Sequence, residues 1–126
     1  MFQIDALSRK PVYEQLVEQT ERFVLSGTLK PGDQLPSVRN LSVQLSINPN
    51  TIQKAYVELE RRGLTISVAG KGCFIRSRVD DAVRRYQEKK LAELEDLLKE
   101  LKTSGLSRED LERFIDEHYG KEAEIK

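Results

Sequence analysis

A mainly α fold carrying one small β-hairpin is predicted for this chain by three observations. Before residue 62, apolar residues recur at helical spacing in three short segments separated by Pro and Gly signals. Leu64 to Val68 then alternates as a strand does, turns at Ala69-Gly70-Lys71-Gly72, and returns through Cys73-Phe74-Ile75. Beyond Arg78 the composition shifts to Glu, Lys and Leu, with leucines near heptad spacing. The reading is a winged helix-turn-helix domain over residues 1–78, followed by a short C-terminal helical hairpin over 79–126.

The elements follow in chain order. Phe2 to Ile4 is a candidate extended arm. Pro11 opens a helix in which Val12, Leu16, Thr20, Phe23 and Val24 share a face, and Gly27 is placed to end it. Leu29-Lys30-Pro31-Gly32-Asp33 is a turn centred on Pro-Gly. Ser37 caps a short second helix buried through Val38, Leu41 and Leu45. Ser46-Ile47-Asn48 bends the chain into a third helix whose start is marked three times. Asn48 is the N-cap, Pro49 takes the first helical position, and Ile47 with Ile52 supplies a hydrophobic staple. Ile52, Ala55, Tyr56 and Leu59 follow at i, i+3, i+4, i+7, so that stripe is buried, and Gly63 stops the helix. In the first strand Leu64, Ile66 and Val68 are expected inward, with Thr65 and Ser67 outward.

The tail reads differently. Val79 to Lys102 places Val83, Leu91, Leu94, Leu98 and Leu101 near heptad spacing, and Leu97 widens the stripe. Gln87 and Lys90 interrupt any long seam, which leaves a helix of about six or seven turns rather than an extended coiled coil. Ser104-Gly105 breaks it, Ser107 with Asp110 resembles a capping box, and Leu106 with Leu111 a staple. The last helix puts Leu111, Phe114, Ile115 and His118 on one side. So small a hairpin cannot cover so broad an apolar stripe. A second copy across a twofold axis can, and dimerisation is expected through Val83, Leu91, Leu94, Leu98, Leu101, Leu111, Phe114 and Ile115.

Net charge is zero, but the sum hides a split. Residues 1–78 carry 11 Lys+Arg against 7 Asp+Glu, and residues 79–126 carry 10 against 14. Such asymmetry suits a DNA-facing module joined to an acidic partner-facing one. The single cysteine excludes an intrachain disulfide, and no apolar run approaches the ~20 residues of a membrane span. With no signal peptide visible, the expected setting is the cytoplasm.

The outer line of the third helix is Asn50, Lys54, Val57 and Arg61, flanked by Thr51 and Gln53. Amides and a cation beside a helix N-terminus suit the phosphates and base edges of duplex DNA. In the hairpin turn Gly70, Lys71 and Gly72 let the backbone approach a phosphate or a narrow groove, although many hairpins use glycine only for φ > 0. Tyr56 belongs to the core rather than the contact face. Cys73 reads as a small hairpin residue with no resolving partner. His118, on the apolar side of the last helix, would need Asp or Glu partners at matched spacing to hold a metal and reads as a packed residue. Asp80-Asp81 and Glu93-Glu95-Asp96 read as a solvated helix face. No nucleophile has a base at hand, so neither catalysis nor a cofactor is expected.

Four stretches carry a family resemblance: Pro11-Val12-Tyr13-Glu14-Gln15-Leu16, Gly27 through Arg39, Asn50-Thr51-Ile52-Gln53-Lys54-Ala55-Tyr56, and Gly70-Lys71-Gly72. They closely resemble the DNA-binding domain of GntR-family bacterial transcription regulators over about residues 11–76, and the short tail looks like the YtrA-like subfamily. The resemblance implies a homodimeric repressor on a palindromic double-stranded operator, controlling its own operon and neighbouring transporter genes. It gives Arg39 a guanine contact in the major groove. Asn50, Thr51 and Gln53 fall in the family's contact stretch, with Lys54 beside them and Gly70 and Lys71 in the wing. Ser37 and Tyr13 match phosphate contacts, though an N-cap and a packed ring are equally open to them. Pro49 stands where certain members carry a base-reading arginine, so inner operator bases would be read differently. Some relatives fuse this domain to an aminotransferase-like half that binds pyridoxal phosphate, for which residues 79–126 are too few. A winged helix kept only for protein contact is the other alternative, and the polar cationic face counts against it. A small-molecule effector stays open, with at most a small crevice between subunits to receive it.

Overall fold

The computed structural model describes residues 1–120 and has the order α1 (Val12–Leu25), α2 (Val38–Leu45), α3 (Pro49–Arg61), β1 (Thr65–Val68), β2 (Gly72–Ile75), α4 (Asp80–Thr103) and α5 (Arg108–Tyr119). It divides into two compact units, Met1–Arg85 and Tyr86–Lys126. The division falls inside α4 rather than ahead of it at Val79, because the first turns of that helix pack on the first unit. Ala82 is buried in its core, Val79 packs against the same core, and the Arg85 guanidinium donates to the Arg62 carbonyl that closes α3.

In the first unit, α1 and α3 cross over a core of Leu16, Val17, Leu41, Ile52, Ala55, Leu59, Leu64 and Ile75. The expected α3 stripe is buried in full, from Ile52 at 0 % exposure to Tyr56 at 8 %. Asn48 caps α3 by accepting from the Asn50 N–H at 2.8 Å, and Ser37 caps α2 by accepting from the Asn40 N–H at 3.0 Å. Ser46 takes a left-handed conformation, φ 56°, and so turns α2 into α3 within three residues. The N-terminal arm is not a strand. Phe2 is buried edge-on against Phe23, and the buried Gln15 amide ties the arm down. Its oxygen accepts from the Asp5 N–H at 2.9 Å, while its nitrogen donates to the carbonyls of Asp5 and Lys10.

The hairpin corrects one expectation. Thr65 is buried, at 0 %, whereas Ile66 and Val68 are 41 % and 40 % exposed. Leu64 is buried and Ser67 exposed as expected, so the departure lies at Thr65, Ile66 and Val68, because Leu64 precedes the strand instead of opening its alternation. Thr65 pairs with Ile75, which puts both on the core face, and Ile66 pairs with Phe74 on the other. The hairpin also has a third participant. Gln34 bridges Phe74 in antiparallel sense, with the Ile75 N–H donating to the Asp33 carbonyl and the Leu35 N–H to the Cys73 carbonyl. Residues 33–35 thus extend the two-stranded sheet on the β2 side.

In the second unit, Ser107 caps α5 by accepting from the Asp110 N–H at 3.0 Å. The return half of the expected capping box is replaced, since the Asp110 carboxylate accepts from Arg113 instead. His118 lies over the Phe114 ring at a centroid distance of 4.1 Å and bonds its carbonyl through Nδ1.

Candidate nucleic-acid interface

The motif between Gly27 and Arg39 acquires a physical meaning in the first unit. Lys30 and Asp33 close the turn on each other, the Asp33 side chain accepting from the Lys30 N–H at 2.8 Å. Gly32 sits at φ +88° and donates its N–H to the Ile75 carbonyl, which joins the turn to β2. Leu35 fills the core, the Pro36 carbonyl accepts the Tyr56 hydroxyl at 2.7 Å, and Ser37 caps α2. Gly32, Asp33, Gln34, Leu35 and Pro36 are therefore tied to the hairpin or to α3. Tyr56 belongs to this scaffold. Burial pushes its hydroxyl well above the usual tyrosine range, as a neutral donor to a carbonyl requires.

On that scaffold Arg39 stands exposed in the first turn of α2 and takes part in no ion pair among the described residues. Asn50, Gln53 and Lys54 are exposed on α3, and Thr51 is half-buried. The Lys54 ammonium rests 4.1 Å from the centroid of the Tyr13 ring, so two sequence-predicted contacts form one cation–π pair. Ser37, Gln53, Gly70 and Lys71 come together on a cleft of about 510 Å³ between α3 and the wing, floored by Leu35 and Pro36. Arg39, Asn50, Thr51, Lys54 and Tyr13 are not part of that cleft lining. At the tip, Gly70 has φ +75° and open space where a side chain would stand.

Arg61 is not a free member of the outer line. It pairs with Glu58, which also accepts from Arg62, and Arg62 reaches on to Glu21 of α1. Hydrogen bonding from Arg61, then from Arg62, holds the Glu58 carboxyl down at about 2. Cys73 lines the cleft, and burial pushes its thiol up, away from the reactive thiolate. Two residues of the cleft were not singled out in the sequence. Gln34 donates through Nε2 to the Lys71 carbonyl at 2.9 Å, and the Ser67 hydroxyl donates to Glu60 at 3.1 Å. Alternation places Gln34 outward beside the buried Leu35. Its partner lies 37 residues on and leaves no local signature.

The expected dimer residues divide between the units. Val83 is half-buried in the first, whereas Leu91, Leu94, Leu101, Phe114 and Ile115 are exposed in the second, by 61 % at Leu91 and 38 % at Leu101. Leu98 and Leu111 are partly buried and line an apolar crevice of about 440 Å³ with Leu101 and Leu106. Among the described residues, no helix is long and apolar enough to cross a membrane.

Known proteins match this architecture. Residues 12–75 match the family described as "Bacterial regulatory proteins, gntR family". The HTH-type transcriptional repressor YtrA of Bacillus subtilis (strain 168) is 40 % identical over 93 % of this chain and 91 % of its own length. A crystal structure of a transcriptional regulator from Oenococcus oeni superposes with a TM-score of 0.78 at 36 % identity, over 93 % of this chain and 98 % of that one. The DNA-binding domain of AraR, crystallised with its operator ORX1, is 32 % identical with a TM-score of 0.51, over 60 % of this chain and 92 % of that one. With its winged fold, its matched motifs and a relative aligned along nearly its whole length, this chain belongs to the gntR family and is a DNA-binding transcriptional regulator, not an enzyme.

Proposed function

We propose that the chain acts in the cytoplasm as a homodimeric repressor of its own operon and of neighbouring transporter genes, bound to a palindromic operator. The observation that carries the reading is the uncovered polar face of the first unit. Arg39, Asn50, Gln53, Lys54 and Lys71 are all exposed, and their backbone supports are satisfied from within. In this reading Arg39 contacts guanine, Asn50 and Gln53 read adenine edges, and Thr51 serves a phosphate or a thymine methyl. Lys54, Lys71 and the Gly70 backbone meet phosphates, with Ser37 and Tyr13 at the flanks. Dimerisation through Leu91, Leu94, Leu98, Leu101, Leu111, Phe114 and Ile115 sets the distance between the two α3 helices. Successive major grooves on one face of the duplex lie about 34 Å apart, and that spacing sets the half-site separation. An effector would act by altering this spacing.

Selection of bound duplexes from a random pool tests the proposal, because it returns half-site sequence and spacing together. The expected product is an inverted repeat. Single, unpaired half-sites would overturn the dimeric reading, and an unenriched pool would overturn sequence-specific recognition.

A further inference from the structure

The two glycines of the wing serve different neighbours. A Cβ on Gly70 would meet nothing within 4 Å, whereas a Cβ on Gly72 would lie 2.6 Å from Gln34 Nε2. The clearance at Gly72 is thus filled by this chain's own side chain, and only Gly70 is left open to a ligand. The same Nε2 donates to the Lys71 carbonyl at 2.9 Å. Gln34 is itself held fast, since its backbone bridges Phe74 and both neighbours bond β2. The turn it reaches has one backbone bond of its own, Lys71 N–H to the Val68 carbonyl at 2.9 Å. A hairpin of four-residue strands is marginal without outside support.

We propose that Gln34 is a positioning residue for DNA binding, a strut from the turn before α2 that holds the Gly70-Lys71 tip in the form that meets the duplex. It touches no DNA in this scheme and acts through Lys71. The inference rests on the wing meeting DNA as proposed above. Because Gln34 is exposed and its loss empties no core, its effect falls on binding rather than on folding.

Gln34→Met keeps the side-chain length and removes the donor; Gln34→Ala removes the donor and the bulk. Fluorescence anisotropy with a labelled mixed-sequence duplex of about 30 base pairs, over a salt series, compares both with Lys71→Ala. Each Gln34 variant is expected to bind about fivefold more weakly at low salt, with a salt slope shallower by about one, as Lys71→Ala does. The Gln34→Met/Lys71→Ala double variant is expected to be no weaker than Lys71→Ala alone, and all four variants to keep the wild-type thermal midpoint. A merely structural role would lower the midpoint and leave the slope alone. Wild-type affinity in both Gln34 variants, or additive losses in the double variant, would overturn the proposal. Wild-type protein that ignores the duplex at low salt is a separate failure, which removes the wing contact itself.

Discussion

At the level of single side chains, Arg39 and the Lys54–Tyr13 pair carry different kinds of information. Arg39 is exposed and unpaired within the described chain, so its guanidinium fork is free for a bidentate guanine contact. Arg39→Ala is therefore expected to weaken operator binding by about 1–3 kcal/mol while changing random-duplex affinity little. Competition between the two duplexes measures this; equal losses on both would reduce Arg39 to a phosphate contact. Tyr13 has two candidate roles, a hydroxyl for phosphate or a ring beneath Lys54, and the 4.1 Å approach favours the ring. Tyr13→Phe should then bind like wild type, whereas Tyr13→Leu should lose about 0.5–1 kcal/mol, and only while Lys54 is present. A loss in Tyr13→Phe would return the role to the hydroxyl. Such residues were legible in part. Asn50, Gln53 and Lys54 could be placed outward by helical period alone. The pairing of Lys54 with Tyr13 could not, because it joins two helices far apart in sequence.

Helices and strands differ in how openly they are written. The α3 start is encoded by Asn48, Pro49 and Ile47, each acting within five residues. In the structure Asn48 caps the helix, Pro49 opens it and Ile47 packs against the core that holds Ile52. The wing was legible as a hairpin, but its facing was not. Four residues of alternation fit either register, and burial of Thr65 opposite Ile75 depends on how the chain turns from the end of α3 through Leu64. The added segment 33–35 was hidden for a similar reason, since a single bridge to Phe74 has no period. Between helices, the Glu58–Arg62–Glu21 chain fastens α3 to α1. Glu58 is held at about 2, below its ordinary 4.5, so its contribution is full above pH 4.5 and fades as pH falls toward 2. At neutral pH, Glu58→Gln should cost about 1–2 kcal/mol, after allowance for partial solvent exposure. The gap between the two proteins in thermal unfolding should close between pH 4.5 and 2. A gap that persists unchanged at pH 2 would mean that Glu58 acts by packing and not by charge.

For the molecule as a whole, the question is what an apolar stripe is doing on an otherwise charged tail. Leu91, Leu94, Leu97 and Leu101 recur along α4, and Phe114 and Ile115 lie on α5, all more than a third exposed. A stable protein rarely leaves so many large apolar side chains in water without a partner. The surrounding segment is acidic, with 14 Asp+Glu against 10 Lys+Arg in residues 79–126, so it suits a like copy of itself better than DNA. A self-complementary seam of about 800 Å² per partner would cover the stripe. Leu94→Glu with Leu101→Glu sets two carboxylates in that seam and is expected to give a monomer by analytical ultracentrifugation. The first unit has its own core and should keep its fold, which circular dichroism checks. Operator affinity should then fall by about 100-fold or more, because two linked half-sites become two independent weak ones. Affinity for a single half-site should stay within about twofold of the wild-type value. A double variant that remains dimeric would move the seam away from α4. A monomer that binds the full operator as tightly as wild type would show instead that one winged helix suffices.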